Sequence, residues 1–277
     1  MSKLIRSKWY VPVFLVIQLC TNTAYADTTS SPSLLSEIQH APNRSESNIA
    51  RDTYRHPEQT LAFFEIKPDM TAIEIWPGMG WYSEILAPWF KQGGGHFIAA
   101  GFPLHLGPKW RQSMAADYKE WLAKSPKYYD QVQTLGFGPP ANWKLGKDES
   151  ADAVMTFRNV HNWVKGGYEQ QVFSAMFDVL KSGGILGVTD HRAAAGTDLD
   201  TMKKSGYLTE KLVIDLAEQA GFVLEASSEI NANALDTKDY PKGVWTLPPT
   251  LRLGDENKQH YLSIGESDRM TFRFRKP

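Results

Sequence analysis

The amino-acid sequence predicts an α/β fold, in which helices cover both faces of a doubly wound, mostly parallel sheet of seven strands. The first observation is a series of short, continuous apolar runs that alternate with helical patterns, which is typical of parallel strands buried on both sides. The second is the alternating C-terminal sequence DRMTFRFRKP, which predicts an antiparallel last strand after a sixth parallel one.

Each element follows from its local pattern. The first five strands are predicted at Thr71–Trp76, His96–Ala100, Gln131–Gly136, Ala153–Phe157 and Ile185–Thr189. Helices are predicted at Trp81–Phe90, Lys109–Ala123 and Tyr168–Leu180. A further helix begins after Thr209 as its N-cap and ends at Gly221, and the sixth strand, VLEASSEI, follows it.

Residues 1–26 are predicted to be a secretory signal peptide. Three basic residues precede an apolar run of about a dozen residues, and the sequence AYA at Ala24 to Ala26 is a small-x-small cleavage site. The run is too short to span a membrane, so no stable membrane insertion is expected after cleavage. The mature chain would begin at Asp27 and be periplasmic or secreted.

The rest of the chain is predicted to be one domain. Residues 27–44 are rich in Ser, Thr and Pro and are expected to form a flexible leader, and residues 45–277 to form the domain. Residues 231–267 lack periodicity and are predicted to be an insertion. Segments of this length within a compact domain are often functional.

Composition excludes several classes of function. Without Lys3, Arg6 and Lys8 of the predicted signal peptide, the 30 basic residues become 27 against 31 acidic ones, a net charge of −4. This charge argues against a nucleic-acid partner. The single cysteine lies in the predicted signal peptide, so no disulfide or thiolate site is expected in the mature chain.

A glycine-containing turn follows the first predicted strand, in the sequence AIEIWPGMG. Gly78 and Gly80 lack a Cβ, so the backbone can bend sharply and approach a ligand closely. The helix that follows begins with free N–H groups. The pattern is typical of a nucleotide-binding loop, although a tight turn without a ligand has the same glycines.

The order of the elements, this turn and the sequence LKSGGILGVTD resemble class I S-adenosylmethionine-dependent methyltransferases, which have a Rossmann-like fold. The sequences TFRNVHNW, GVTDHRA and GESDRMTFRF resemble more narrowly an exported group of predicted methyltransferases. The resemblance implies S-adenosylmethionine as the cofactor and a small molecule as the substrate. It leaves the oligomeric state open.

The resemblance also implies which residues bind the cofactor. Glu74 would pair with the ammonium group of S-adenosylmethionine. The complete predicted cofactor-binding set is Glu74, Trp76, Gly78, Gly80, Arg158 and Asn159. The sequence departs from the family pattern in two ways: Trp76 replaces the first glycine, and the second and third strands lack the acids that hold the ribose and lie near the adenine.

The candidate reaction site lies at the carboxyl ends of the strands, where ligands bind in open α/β sheets. His161 is the predicted base, because its charge can change near neutral pH, and Asp190 is the second catalytic candidate. Trp163, His191, Arg192 and Trp245 are predicted to bind substrate, Trp245 as part of a lid. Ion pairs within the fold are the alternative role for Arg158 and Arg192, and a cap or salt bridge is the alternative for Asp190.

No metal site is predicted, because the histidines lack metal-binding spacing. Two main functions follow. An exported methyltransferase requires a cavity large enough for an adenosyl group. A repurposed fold that binds a small ligand or partner without methyl transfer predicts that Trp76 or Trp81 fills that space. A hydrolase or metal-dependent enzyme on the same edge is a third interpretation.

Overall fold

The computed structural model describes Met1 and residues 33–277. The rest of the predicted signal peptide and residues 27–32 lie outside the described residues. Among the residues that are described, no helix is both long and apolar enough to cross a membrane. Residues 34–39, within the segment predicted as a flexible leader, form helix α1, and its Leu35 and Ile38 are buried.

A seven-stranded mixed sheet forms the centre of the fold. The strands are β1 Thr71–Ile75, β2 His96–Gly101, β3 Gln133–Gly136, β4 Ala151–Phe157, β5 Leu180–His191, β6 Val223–Ser228 and β7 Arg269–Arg275. Their order is β3-β2-β1-β4-β5-β7-β6. Strands β1 to β5 pair in parallel, and β7 pairs antiparallel with both β5 and β6. The predicted fold class is therefore confirmed.

Twelve α-helices are described. They are α1 Leu34–Gln39, α2 Glu46–Ile49, α3 Asp52–Arg55, α4 Pro57–Phe63, α5 Ser83–Gly93, α6 Lys109–Lys124, α7 Pro126–Tyr129, α8 Val160–Gly166, α9 Glu169–Val179, α10 Leu199–Ser205, α11 Glu210–Gln219 and α12 Lys258–Ile264. The predicted N-cap of α11 is present, since the Thr209 side chain accepts a hydrogen bond from the Leu212 N–H.

The sheet separates two hydrophobic cores because side chains alternate between its faces. In β1, Ile73 and Ile75 belong to the core that includes residues of α8, α9 and α11. Ala72 belongs to the opposite core, with residues of α4 and α5. Both faces are thus covered, and ligand access is left at the edge where the strands end.

Several of the described helices were not predicted from the sequence patterns, and two regions that contain them hold candidate site residues. Helix α8 starts directly after β4, so His161 and Trp163 lie on a helix rather than in a loop. The predicted insertion at 231–267 contains a 3₁₀ helix, Gly243–Thr246, and α12, and it has its own apolar cluster of Leu247, Tyr261 and Ile264. Short helices such as these give too few turns for a clear period.

Candidate functional site

A cavity of about 760 Å³ opens where β1, β2, β3 and β4 end. Its wall comprises Trp76, Pro77, Gly78, Ala99, Gly101, Phe102, Leu104, Trp110, Arg111, Met114, Ala115, Tyr118, Lys119, Thr134, Leu135, Gly136, Asn159, Asn162, Lys165, Gly166, Tyr168, Trp245 and Arg252. The volume is within the range of small-molecule sites, and the location is the edge where α/β sheets bind ligands.

The charged side chains on the cavity wall are all positive. Arg111, Lys119, Lys165 and Arg252 lie on the wall, whereas no Asp or Glu does. Six aromatic rings share the wall: Trp76, Phe102, Trp110, Tyr118, Tyr168 and Trp245. The cavity therefore presents positive charge and flat apolar surfaces.

The two glycines of the turn after β1 have different roles. Gly78 has φ +60° and lines the cavity, and a Cβ placed there would meet no atom within 4 Å. Gly80 has φ +83°, but a Cβ there would approach Trp121 to 2.8 Å. Gly78 thus leaves space toward the cavity, while Gly80 permits close packing against α6.

Trp76 spans the sheet edge. Its backbone has φ +50°, and its indole Nε1 donates a 3.0 Å hydrogen bond to the Phe137 carbonyl beyond β3. The ring lies 4.5 Å from that of Phe102, after β2. The indole therefore contacts residues that follow β2 and β3, the two strands that lack the expected acids. Trp81 is buried against Arg44 and Arg55 and does not line the cavity.

Glu74 is buried beneath the turn and does not line the cavity. The Ser83 hydroxyl donates to it at 3.4 Å, and Ser83 also bonds the Tyr118 hydroxyl at 2.7 Å. Burial raises the pKa of Glu74 from 4.5 to about 8. The side chain is therefore a neutral carboxylic acid at pH 7, which can exchange hydrogen bonds but does not offer a full negative charge.

His161, Asp190 and His191 form a buried cluster at the ends of β4 and β5. The Asp190 carboxylate contacts His161 Nδ1 at 2.8 Å and accepts the backbone N–H groups of His161 and His191 at 3.2 and 2.7 Å. Burial, together with His161 and Arg158, holds the pKa of His191 well below 6.5. Asp190 therefore orients His161, and His191 is neutral at pH 7.

Donor atoms of these three residues all lie within 4.8 Å of one another. Two histidines and a carboxylate are a donor set that zinc or iron can use. However, the Asp190 oxygens already accept N–H bonds, and the positive charges of Arg158 and Arg269 act on His191 and would repel a cation there. The surroundings therefore favour hydrogen bonding of the histidines over binding of another cation.

A cluster of arginines surrounds the Glu266 carboxylate. Glu266 pairs with Arg51 at 2.6 Å and with Arg55 and Arg269 at 3.2 Å each. Burial lowers the pKa of Arg55 to about 9, and it lowers the pKa of Arg158 to about 10. Arg158 has φ +62°, and its N–H bonds the Thr189 carbonyl at 2.7 Å, which joins β4 to β5.

Two predicted substrate-binding residues are engaged within the fold. Arg192 pairs with Glu210 at 3.1 Å, Glu229 at 2.6 Å and Asp268 at 2.9 Å, and these hydrogen bonds raise its pKa. Trp163 is fully buried in a hydrophobic core. Neither residue lines the cavity.

Trp245, from the insertion, connects the cavity with the histidine cluster. It lines the cavity, and its ring centroid lies 6.1 Å from that of His161. Lys165 and Arg252 lie over the same ring at 5.5 and 5.0 Å. His161 does not line the cavity, so contact with a ligand there would require a rearrangement of the cavity wall.

The structure thus divides the predicted site residues. Those on the cavity wall are Trp76, Gly78, Asn159 and Trp245. Those away from the wall are Glu74, Gly80, Arg158, His161, Trp163, Asp190, His191 and Arg192. Sequence reasoning missed Arg111 and Lys119, although their spacing with Met114, Ala115 and Tyr118 along α6 marks one helix face.

Comparisons with known proteins identify the fold. No family model and no curated protein matches the sequence. A solved S-adenosylmethionine-dependent methyltransferase from Aquifex aeolicus has a TM-score of 0.51 and 18% identity, covering 71% of this chain and 93% of that one. The (4+2) cyclase SpnF has a TM-score of 0.56 and 13% identity, covering 86% and 85%.

A third structure, of a candidate sarcosine dimethylglycine methyltransferase from Galdieria sulphuraria, has a TM-score of 0.56 and 15% identity and covers 84% of this chain and 91% of that one. At these identities the likeness concerns the fold alone. The chain therefore has the Rossmann-like fold of class I S-adenosylmethionine-dependent methyltransferases.

Proposed function

We propose that the protein is a methyltransferase that uses S-adenosylmethionine and acts on a small molecule. The observation that carries the proposal is the cavity beside Gly78, because it combines this fold with a volume of about 760 Å³ at the carboxyl edge. Open space at Gly78 lets a ligand approach the backbone closely.

The residues fit the cofactor in part. Gly78 and the Asn159 side chain lie where the resemblance places cofactor contacts, and Asn159 also fixes the end of β1 through a 2.9 Å bond to the Ile75 carbonyl. Among the described residues, none of those on the wall has a carboxylate that could hold ribose hydroxyls or an ammonium group. The cofactor would supply the methyl group. This chain would supply alignment and exclusion of water, which matter most for a displacement at carbon.

His161 is the base in this proposal. Its contact with Asp190 fixes the imidazole ring, as a carboxylate does for many catalytic histidines. A base assists when the acceptor is a hydroxyl or a protonated amine. This role requires a rearrangement of the cavity wall that brings His161 into contact with the acceptor, because His161 does not line the cavity.

The second candidate function is binding of a small ligand without methyl transfer. Trp76 favours it, because the indole occupies the edge between β1 and the residues after β3. The structural neighbour SpnF is a (4+2) cyclase, so a protein of similar fold is named for a reaction other than methyl transfer.

Export is also part of the proposal. The basic start, apolar run and AYA sequence of residues 1–26 support a cleaved signal peptide and a periplasmic or secreted protein. N-terminal sequencing of the protein from the periplasmic fraction should read from Asp27. A chain that retains Met1 in the cytosolic fraction would contradict export.

Calorimetric titration of residues 27–277 with S-adenosylmethionine and S-adenosylhomocysteine tests the first function. Gly78→Leu and Gly94→Leu form a matched pair, because both glycines have positive φ and open space at the Cβ position, but only Gly78 lines the cavity. We expect Gly78→Leu to weaken binding by at least about tenfold, or about 1.4 kcal/mol, and Gly94→Leu to retain it. Absence of heat with folded wild-type protein would reject the cofactor and favour the second function.

A further inference from the structure

The cavity wall carries four cations for which the described residues provide no carboxylate. None of Arg111, Lys119, Lys165 and Arg252 forms an ion pair with any residue that the structure describes. By contrast, Arg192 outside the cavity pairs with three carboxylates. The positive charge of the wall is thus available to a ligand.

Arg111 is the most confined of the four cations. Its guanidinium lies 5.0 to 5.6 Å from the ring centroids of Trp76, Phe102 and Trp110, and Nη2 donates to the Tyr168 hydroxyl at 3.2 Å. Its Nε is buried and has no hydrogen-bond partner among the residues that the structure describes. A buried donor without a partner is costly, and an anionic acceptor would remove that cost.

Lys165 and Arg252 share a second aromatic ring of the cavity wall. Both are exposed, and both lie over the Trp245 ring. A flat ring can stack on the cavity's aromatic walls, while a charged substituent reaches these cations. Only the single carboxylate of S-adenosylmethionine complements these cations, so the other wall cations point to a second, anionic ligand in the same cavity.

We propose that the cavity binds a small aromatic anion, which is a planar ring system that carries a carboxylate, sulfonate or phosphate group. In the proposed methyltransferase this anion is the methyl acceptor, and that assignment rests on the proposed function. The preference for an anion does not rest on the proposed function, because it follows from the positive charges of the cavity wall. The same anion is the ligand if no methyl transfer takes place.

Calorimetry with naphthalene probes tests the proposal on residues 27–277. The anionic probes are 2-naphthoate, naphthalene-2-sulfonate and 2-naphthyl phosphate, which distinguish the three anionic groups. The neutral probe is 2-naphthamide, and the cationic one is 2-naphthylmethylamine. We expect the best anion to bind at least about tenfold more tightly than the amide, and its affinity to fall as salt is raised. The amine should bind more weakly than the amide.

Variants locate the effect in the cavity. Replacing both exposed wall cations, Lys165→Gln with Arg252→Gln, should lower the affinity of the best anion by at least about tenfold and leave that of the amide unchanged. Lys127→Gln is the matched control, because Lys127 also lies over an aromatic ring, that of Tyr128, but does not line the cavity. Thermal unfolding of each variant verifies that it is folded.

Three outcomes would overturn the proposal: equal binding of amide and anions, tighter binding of the amine, or no measurable binding of any anion. Titration of S-adenosylmethionine into the same preparation separates this proposal from the proposed function. If the cofactor binds but anions are not preferred, only the proposal of an anionic ligand is rejected. If anions are preferred but the cofactor does not bind, only the proposed methyltransferase function is rejected.

Discussion

Two regions of the same sheet edge differ in how their charged side chains are paired. On the cavity side, the cations of the wall have no carboxylate among the described residues, and three of the four are exposed. On the packed side, formed by the His161–Asp190–His191 cluster and the arginines around Glu266, charged groups are buried and contact one another. Buried charges require partners for the chain to fold, whereas the exposed unpaired cations at an open cavity cost little and remain available for a ligand.

The comparison predicts that substitutions on the packed side reduce stability and that substitutions on the cavity side reduce binding. The largest effect is expected for Glu266→Gln, because this one carboxylate pairs with Arg51, Arg55 and Arg269. Loss of a partner from a buried ion pair should lower the free energy of unfolding by about 3–5 kcal/mol, measured by urea unfolding. Glu225→Gln is the control, since Glu225 pairs with Arg273 and Arg275 at the surface, and should cost less than about 1 kcal/mol.

Lowering the pH should remove the same stabilisation that the ionised Glu266 side chain provides. Burial acts to raise the pKa of Glu266, but Arg55 and Arg269 outweigh it and hold the pKa at about 2, below the ordinary 4.5. The stabilisation is therefore present above pH 4.5 and is lost as the pH falls toward 2, by about 3 kcal/mol in total. Wild-type protein should lose stability more steeply below pH 4.5 than Glu266→Gln. Parallel curves would show that Glu266 is not the group responsible.

Asp190→Asn should have the next largest effect. Asp190 is fully buried and contacts the ring and backbone N–H of His161 and the backbone N–H of His191. An amide cannot accept all of these bonds, so we expect a loss of about 1–3 kcal/mol in the free energy of unfolding, with anion binding in the cavity retained. Asp215→Asn, at an exposed pair with Lys211, should change stability by about 0.5 kcal/mol or less. Equal effects of the two substitutions would remove the distinction between the packed side and the surface.

On the cavity side, the double variant Lys165→Gln with Arg252→Gln should change the free energy of unfolding by less than about 0.5 kcal/mol. Both side chains are exposed, and neither has an ion pair among the described residues. The comparison would fail if these two cations proved as important for stability as Glu266, because they would then be structural. Urea unfolding under the conditions used for Glu266→Gln gives the direct comparison.

Much of the difference between the cavity side and the packed side could not be predicted from the sequence. The continuous apolar runs predicted the strands because burial on both faces imposes that pattern, and the alternating end predicted β7. Trp76, Gly78 and Asn159, which were predicted to bind the cofactor, line the cavity at this edge, and their role stays a prediction. The pairing of charges could not be inferred, because Glu266 lies 215 residues after Arg51 and 211 after Arg55, and it meets them only through tertiary packing.

The smallest expected effect concerns metal ions on the packed side. The donor atoms of His161, Asp190 and His191 lie within 4.8 Å of one another, although their spacing in the sequence gave no metal motif. Because Asp190 already accepts three contacts and Arg158 and Arg269 are near His191, we expect added zinc or ferrous ion to leave the melting temperature unchanged.

The metal measurement is sensitive to the alternative. A site filled at 100 times its dissociation constant would stabilise the fold by about 2.7 kcal/mol, which thermal unfolding detects readily. Such a rise, if it disappeared in His161→Ala and persisted in a variant of the unclustered His105, would show that the packed side binds a cation where the cavity side binds an anion. The histidine cluster would then be a second ligand site, and the metal-dependent interpretation of this edge would replace a purely positioning role for Asp190.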